Sequence, residues 1–254
     1  MGRYGVDISG QNIQAPLVAL KIIYEEMPET TGCEQCPLKN ADNVHWCCRE
    51  QSPSMYYVEF LYVWEQVQMW SKRRKMDVIL SAIRNYLRNR SEKGCIFFRD
   101  DKCTIYERRP FACRLYGITS PESWQKRWDS LKEQQKEDFK AKPQCNLVSC
   151  VGLDTSYLSE EKENHYFGFV RALERRIGIN AKIVALHDHP LGTYRTFHDH
   201  ILLEMFGEDF MTMLTAARLK NPSEEDIDKL LVIVKGTLDQ ILDAAKQSVR
   251  IIQP

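Results

Sequence analysis

Apolar side chains recur at three- and four-residue intervals along most of this chain, a spacing that places them on one face of an α-helix. Between residues 54 and 70, Val58, Leu61 and Trp64 fall three positions apart, behind a serine that can cap the helix. This periodicity predicts helices over residues 13–26, 54–70, 75–90, 120–142, 159–177, 200–218 and 223–251. The chain is therefore expected to be mainly α.

Residues 95–115 depart from the helical pattern. Two short runs that end in aromatic residues, 95–98 and 103–106, flank the pair Asp100-Asp101, and Arg109-Pro110 follows them. This order predicts two short strands around a turn and then a second turn. The expected fold is a helical domain with a small, irregular, cysteine-rich hairpin region that binds metal.

Composition places the chain among ordinary globular proteins. It has 254 residues, 43% of them hydrophobic, and Lys+Arg equals Asp+Glu at 35 each. A net charge of zero argues against a whole-surface attraction to nucleic acid or to an anionic membrane. No apolar run approaches the roughly 18 residues of a membrane span, and the first residues lack the apolar core of a signal peptide. We expect a cytoplasmic protein that binds neither nucleic acid nor membrane.

All nine cysteines lie in the first 150 residues. The pattern predicts a cysteine-rich metal- or cluster-binding domain over 1–150 and a helical C-terminal region over 151–254, packed into the same unit or separate from it. The odd count and the adjacent pair Cys47-Cys48 argue against a disulfide framework, because neighbouring cysteines bridge only with strain. Reduced thiols at these spacings favour metal ligation. Scattered core cysteines are the alternative.

The first cysteine motif is Cys33-Glu34-Gln35-Cys36, in which two intervening residues let a tight turn point both sulfurs at one ion. The adjacent pair that follows can supply two different metals, or one metal and a bridge, more easily than a single site, since neighbouring side chains diverge. The remaining candidate sulfurs come from the hairpin region and from the end of the predicted polar helix. They are Cys95, Cys103, Cys113, Cys145 and Cys150.

The segment Cys103-Thr-Ile-Tyr-Glu-Arg-Arg-Pro-Phe-Ala-Cys113-Arg114, together with the two earlier motifs, resembles the YkgJ-like cysteine-cluster family. That family is described as a putative zinc- or iron-chelating domain, and flagellin lysine N-methylases contain a related domain. The resemblance runs from about residue 33 to residue 117. It implies that the chelating set is Cys33, Cys36, Cys47, Cys48, Cys95, Cys103 and Cys113. We add Cys145, which follows a helix that can fold back, and regard Cys150 as the spare.

The net charge of a metal–thiolate centre determines which groups must surround it. Four thiolates on zinc or on an oxidised four-iron cluster leave a net negative charge, which a dry pocket tolerates only beside donors or cations. Arg109 and Arg114 lie close enough in sequence to support the centre, by hydrogen bonds to sulfur or to nearby carbonyls. Pairing with surface carboxylates is the alternative. We expect one or two iron–sulfur clusters of the 4Fe-4S type, with zinc as the alternative.

The histidines form a second group, His187-Asp188-His189 and His198-Asp199-His200. On an extended segment, residues two apart share a face, so His187, His189, His198 and His200 are a possible second metal site. The alternative is a polar loop in which Thr196 or Asp199 caps the following helix.

These patterns predict an iron–sulfur protein that acts in electron transfer, or in a redox or protein-modification reaction, with a protein or redox partner. The alternative is a zinc-binding structural or interaction protein without redox activity. No P-loop or nucleophile elbow appears in the sequence, and no catalytic residue is assigned. Whether the protein is an enzyme stays open. An enzyme of this kind would be a metal-dependent oxidoreductase or a protein-modifying enzyme.

Overall fold

A computed structural model describes residues 11–28, 53–88, 94–100, 102–115, 118–133, 136, 157–178 and 195–250. Its named helices, in chain order, are α1 Gln11–Glu26, α2 Tyr57–Gln68, α3 Lys72–Leu87, α4 Phe111–Arg114, α5 Pro121–Ser130, α6 Glu160–Arg176, α7 Phe197–Leu219 and α8 Glu224–Arg250. A 3-10 turn spans Tyr106–Arg108. The named strands are β1 Ser54–Met55, β2 Phe98–Arg99, β3 Lys102–Cys103 and β4 Arg195–Thr196.

Helix α2 is the central element, because almost every one of its side chains is buried. The eight residues from Tyr57 to Trp64 are all buried, so this helix faces protein on every side over two turns. It packs against α1, α6 and α7, and its C-terminal half contacts the 3-10 turn. A helix that is apolar all round belongs in a core rather than on a surface.

Helix α3 packs against both α7 and α8. Ser71 caps its N-terminus by accepting from the Arg74 N–H, and its buried stripe includes Ile79 and Ile83. Ion pairs along the exposed edge of α3 hold α8 in place. Lys72 lies 2.8 Å from Asp239, and Arg84 and Arg88 contact acidic residues nearer the start of α8. The α3–α8 interface therefore combines an apolar centre with a charged rim.

Two short antiparallel pairings complete the fold. Strand β1 pairs with β4, with Ser54 opposite Thr196, and this joins the chain before α2 to the chain before α7. Strands β2 and β3 form a hairpin in which Phe98 is opposite Cys103. Asp100 turns this hairpin at a φ of 49°, a left-handed conformation that aspartate tolerates better than most residues.

The mainly α fold with a cysteine-bearing hairpin is confirmed. The predicted helix boundaries agree to within a few residues except for α5, where the described chain leaves the helix after Ser130 and Leu131 is extended. The division into 1–150 and 151–254 stays a prediction, although buried residues from both segments join one hydrophobic core. Within the described residues, no helix is long and apolar enough to cross a bilayer.

Candidate metal centre

Two of the predicted ligands lie at the β2–β3 hairpin, Cys103 in β3 and Cys95 three residues before β2, and both are half-buried. The Phe98 N–H donates to the Cys95 carbonyl at 3.1 Å, so Cys95 begins a tight turn into the hairpin. Thr104 closes the other end, donating from its backbone N–H at 2.8 Å and from its hydroxyl at 2.9 Å to the Phe97 carbonyl. The hairpin thus holds both cysteine backbones in a defined geometry.

Cys113 lies in the short helix α4, directly after the hairpin and the 3-10 turn. Pro110 precedes the helix in an extended conformation, and its carbonyl accepts from the Cys113 N–H at 2.9 Å. The Cys113 side chain is half-buried. Three predicted ligands therefore lie within one stretch of irregular chain that packs on α2 and on β1.

Arg109 is a buried cation in this stretch. Its side chain is only 6% exposed and its guanidinium lies 4.1 Å over the Tyr106 ring. In the part of the chain that the structure describes, the Arg109 Nε has no hydrogen-bond partner. Buried donors are nearly always paired, so this nitrogen suits an acceptor that the protein atoms described do not supply.

The positive charge of Arg109 affects the pKa of the Cys103 thiol. Burial raises the pKa of the Cys103 thiol, while a hydrogen bond from the Ile105 backbone and the positive charge of Arg109 act in the opposite direction. The thiol is thus neutral without a ligand. Binding a metal would displace its proton, and Arg109 would stabilise the resulting thiolate.

Arg114 donates hydrogen bonds to backbone carbonyls. Its guanidinium donates to the carbonyls of Arg109 at 3.0 Å, Tyr24 at 3.3 Å and Glu107 at 2.7 Å, and it lies 4.3 Å over the Tyr24 ring. It therefore ties the 3-10 turn and α4 to the end of α1. Its neighbour Arg108 instead contacts α2, through the Tyr62 carbonyl and a carboxylate.

Sequence analysis missed Glu59, which supports this region from α2. Glu59 is 1% exposed, and it accepts from the Tyr24 hydroxyl, from the Tyr56 N–H at 2.8 Å and from the Phe111 N–H at 2.6 Å. The Tyr24 hydroxyl oxygen also accepts from the Phe111 N–H, at 3.1 Å. The signal available in the sequence was a single carboxylate inside the apolar run 56–64, since such a group must find buried partners.

The other predicted ligands lie outside the described residues. They are Cys33, Cys36, Cys47, Cys48, Cys145, His187 and His189, together with the spare Cys150. Among the residues that are described, no three side chains of His, Cys, Asp or Glu form a group that could hold a metal ion. The described cysteines alone do not make a complete site.

His198 and His200 lie in the first turn of α7, so the extended segment expected for this pair is wrong. In a helix, residues two apart point in different directions. His198 meets the Tyr86 ring edge-on, whereas the His200 Nε2 lies 3.1 Å from the Met55 carbonyl and its ring stacks on Phe60. Both histidines are buried in the core.

Thr196, two positions before His198, is the helix cap that the alternative interpretation expected. Its hydroxyl oxygen accepts from the Asp199 N–H at 3.3 Å, and its own backbone N–H donates to the Asp199 carboxylate at 3.3 Å. This reciprocal arrangement is a capping box. Asp199 thus has a structural partner at the start of α7.

Comparison with family models identifies the class of domain. Residues 30–146 match the family CxxCxxCC, described as a "Putative zinc- or iron-chelating domain". This range of the chain is therefore similar to a cysteine-cluster family of metal-chelating domains, and the match is consistent with the YkgJ-like family that the motifs resembled. The match covers just under half of the chain. Neither the curated proteins nor the solved structures gave a match.

Proposed function

We propose that this protein binds one or two iron–sulfur clusters through Cys33, Cys36, Cys47, Cys48, Cys95, Cys103, Cys113 and Cys145. These eight residues all lie inside the matched chelating domain, whereas Cys150 lies beyond its end. Eight thiolates suffice for two four-thiolate centres. The clusters would serve electron transfer, or a redox or protein-modification reaction, with a protein or redox partner.

The observation that carries this proposal is the buried Arg109 guanidinium, whose Nε has no partner among the described residues. Placing an arginine in a protein interior is costly unless it meets a negative charge or acceptors. Within the described residues its Nε finds neither a carboxylate nor a carbonyl. A metal–thiolate centre, which carries a net negative charge, supplies the missing partner.

Each residue then has a distinct role. A bound cluster would supply one-electron redox chemistry at the sulfur ligands. Cys95 and Cys103 present thiolates from the two ends of the hairpin, and Cys113 presents a third from α4. Arg109 balances the charge at Cys103, and Arg114 holds the carbonyls of the connecting turn.

Zinc is the second candidate, and the description of the matched family names it beside iron. Zinc with four thiolates carries the same net charge as an oxidised four-iron cluster, so the buried arginine accommodates both. In that case the protein would be a zinc-stabilised structural or interaction protein. It would show no redox signal.

Metal and acid-labile sulfide contents of anaerobically purified protein, with the visible spectrum, test the proposal. Iron and sulfide in near-equal amounts, with an absorbance that dithionite bleaches, are the expected result. Stoichiometric zinc without sulfide would overturn the iron–sulfur function and leave the zinc function. Protein that holds neither metal under these conditions, and takes up neither on reconstitution, would overturn both.

A further inference from the structure

The buried carboxylate of Glu59 has more partners than a helix cap requires. We call Tyr24, Glu59 and Arg114, with the backbone N–H groups of Tyr56 and Phe111, the Glu59 cluster. Its members come from α1, α2, α4 and the residue that precedes α2. The cluster therefore joins three helices that lie far apart in sequence, and all of its side chains are buried.

Capping of α2 alone does not explain this arrangement. Glu174 of α6 already accepts from the Tyr57 N–H at 3.1 Å and from the Val58 N–H at 2.7 Å. Glu59 adds the Tyr56 N–H, which is an ordinary capping contact. Its bond to the Phe111 N–H is of another kind, because Phe111 lies 52 positions along the chain and begins the helix that carries Cys113.

The surroundings of the Glu59 carboxylate show that the cluster keeps the start of α4 in place. Burial raises the pKa of Glu59, while hydrogen bonds from Tyr24, Phe111 and Tyr56 and the positive charge of Arg114 oppose that shift. The buried carboxylate is tolerated because these donors converge on it. Moving the start of α4 away would leave the carboxylate short of a donor, so the cluster resists such a movement.

The position of α4 fixes the position of the Cys113 backbone. Helix α4 has only four residues, too few for its own hydrogen bonds to stabilise it. External bonds hold it at both ends. The Phe111 N–H donates to the Glu59 carboxylate at 2.6 Å, and the Arg114 side chain donates to the Tyr24 carbonyl at 3.3 Å. Cys113 lies between these two anchored residues.

We infer that Glu59 and Tyr24 are positioning residues for the Cys113 thiolate, holding α4 in the orientation that ligation requires. This inference rests on the proposed function, since it takes Cys113 to be a ligand. It adds two residues outside the cysteine motifs to the metal centre. Both reach the centre through the backbone of Phe111 and not by touching the metal.

Residue-specific alkylation of the metal-loaded protein as purified tests this inference. A bound metal protects its cysteine ligands, so the labelling rate of each cysteine by iodoacetamide, read by mass spectrometry, reports whether it is held. In Glu59→Gln, an amide N–H₂ replaces one acceptor oxygen and opposes the N–H of either Phe111 or Tyr56. In both cases the Phe111 N–H loses its bond to a charged acceptor. We expect Cys113 to label about tenfold faster, the loss typical of a hydrogen bond to a charged group, with Cys103 unchanged.

Glu174→Gln is the matched control, because it changes a buried carboxylate that caps the same helix through the Tyr57 and Val58 N–H groups. It should destabilise the fold comparably and leave the labelling of Cys113 unchanged. Tyr24→Phe keeps the ring under Arg114 and removes only the hydroxyl. It should raise Cys113 labelling by a smaller factor, and it serves in place of Glu59→Gln if that variant does not fold.

Two results would overturn the inference while leaving the proposed function intact. One is Cys113 staying as protected in Glu59→Gln and Tyr24→Phe as in the unchanged protein. The other is an equal increase in the labelling rates of Cys103 and Cys113 in both Glu59→Gln and Glu174→Gln. That result would indicate that the whole fold is less stable. If the unchanged protein holds no metal, the proposed function fails first and the inference fails with it.

Discussion

The buried positive charge of Arg109 opposes the rise that burial causes in the pKa of the half-buried Cys103 thiol. The two residues lie on either side of the 3-10 turn, which brings together a cation and a candidate ligand six positions apart. The turn is held on α2 by Arg108 and by the Gln66 side chain, which donates to the Thr104 carbonyl at 3.3 Å. The central helix therefore determines where this pair can lie.

Replacing Arg109 by glutamine should weaken metal binding by about 10- to 100-fold, the range found when groups that support metal ligands are removed. The physical reason is loss of the buried positive charge that faces the thiolate. Competition with a chromophoric chelator measures the affinity. Arg109→Lys should recover only part of the loss, because an ammonium is a more compact and more strongly hydrated charge.

Arg108→Gln is the control for this prediction. Arg108 precedes Arg109 directly, but it contacts Glu65 and the Tyr62 carbonyl on α2. We expect a clearly smaller loss of metal affinity than in Arg109→Gln, because this change weakens the contact of the turn with α2 but keeps the positive charge near Cys103. Equal losses in the two variants would show that the charge beside Cys103 has no special role.

Phe97→Ala should destabilise the protein by about 3–5 kcal/mol, the usual cost of truncating a buried phenylalanine. Phe97 is 1% exposed and packs edge-on against Phe197, with the ring centroids 4.4 Å apart. This contact anchors the cysteine hairpin to the start of α7. Urea unfolding measures the effect, and Phe98→Ala, at a half-buried neighbour, should cost clearly less. Similar losses at both positions would contradict the anchoring role.

The sequence predicted the helices well because each apolar stripe could be seen within its own segment. The stripe Ile227, Leu231, Val234 and Leu238 is buried along α8 as its spacing indicates. Hairpin β2–β3 was equally visible, since the aspartate pair marks its turn. Periodicity, caps and turn residues are local signals.

The contacts that hold the candidate site in place could be predicted only in part, because the motif pointed to Arg109 and Arg114 but nothing pointed to the contacts that Glu59 makes. The bond between Glu59 and the Phe111 N–H depends on how α2 packs against a four-residue helix far along the chain. The orphaned Arg109 Nε likewise follows from burial, and no spacing rule reports burial of an arginine. For His198 and His200, only the expected backbone conformation was wrong. The expected extended backbone was replaced by a helix start that Thr196 caps.

Acid should weaken the packing of α8 on α3 through Glu224. Hydrogen bonds and charge from Arg88 and Arg84 hold the pKa of Glu224 below its usual range. A carboxyl whose pKa is lowered by folding stabilises the fold above its unfolded pKa, and that contribution is lost as pH falls through the folded value. Glu224→Gln should thus reduce the free energy of unfolding at neutral pH and make no difference in strong acid.

Urea unfolding measures whether Glu224→Gln and the unchanged protein become equally stable in acid. It is done at neutral pH and at about pH 2, below the usual range of carboxyl pKa values. Glu225→Gln is the matched control, because Glu225 pairs at 2.8 Å with Lys229 on its own helix and is well exposed. Its effect at neutral pH should be smaller, since such a pair adds little. A Glu224→Gln deficit that persists unchanged in acid would contradict the assignment.

Gly207 should be intolerant of any side chain. It interrupts α7 at a φ of 76° and a ψ of −171°, a combination that is essentially restricted to glycine. No described atom lies within 4 Å of an added Cβ, so the penalty for Gly207→Ala comes from the backbone and not from a clash. We expect a loss of about 1–3 kcal/mol in the free energy of unfolding.

Gly236 provides the opposite case in α8, where an added Cβ also meets no described atom within 4 Å. Its φ lies outside the left-handed region, and it occupies a helix interior. Gly236→Ala should therefore stabilise the protein by about 0.5–1 kcal/mol, the difference in helix propensity. Urea unfolding of the two variants under one condition should give shifts of opposite sign. Shifts of the same sign would mean that the kink at Gly207 is not a fixed feature of α7.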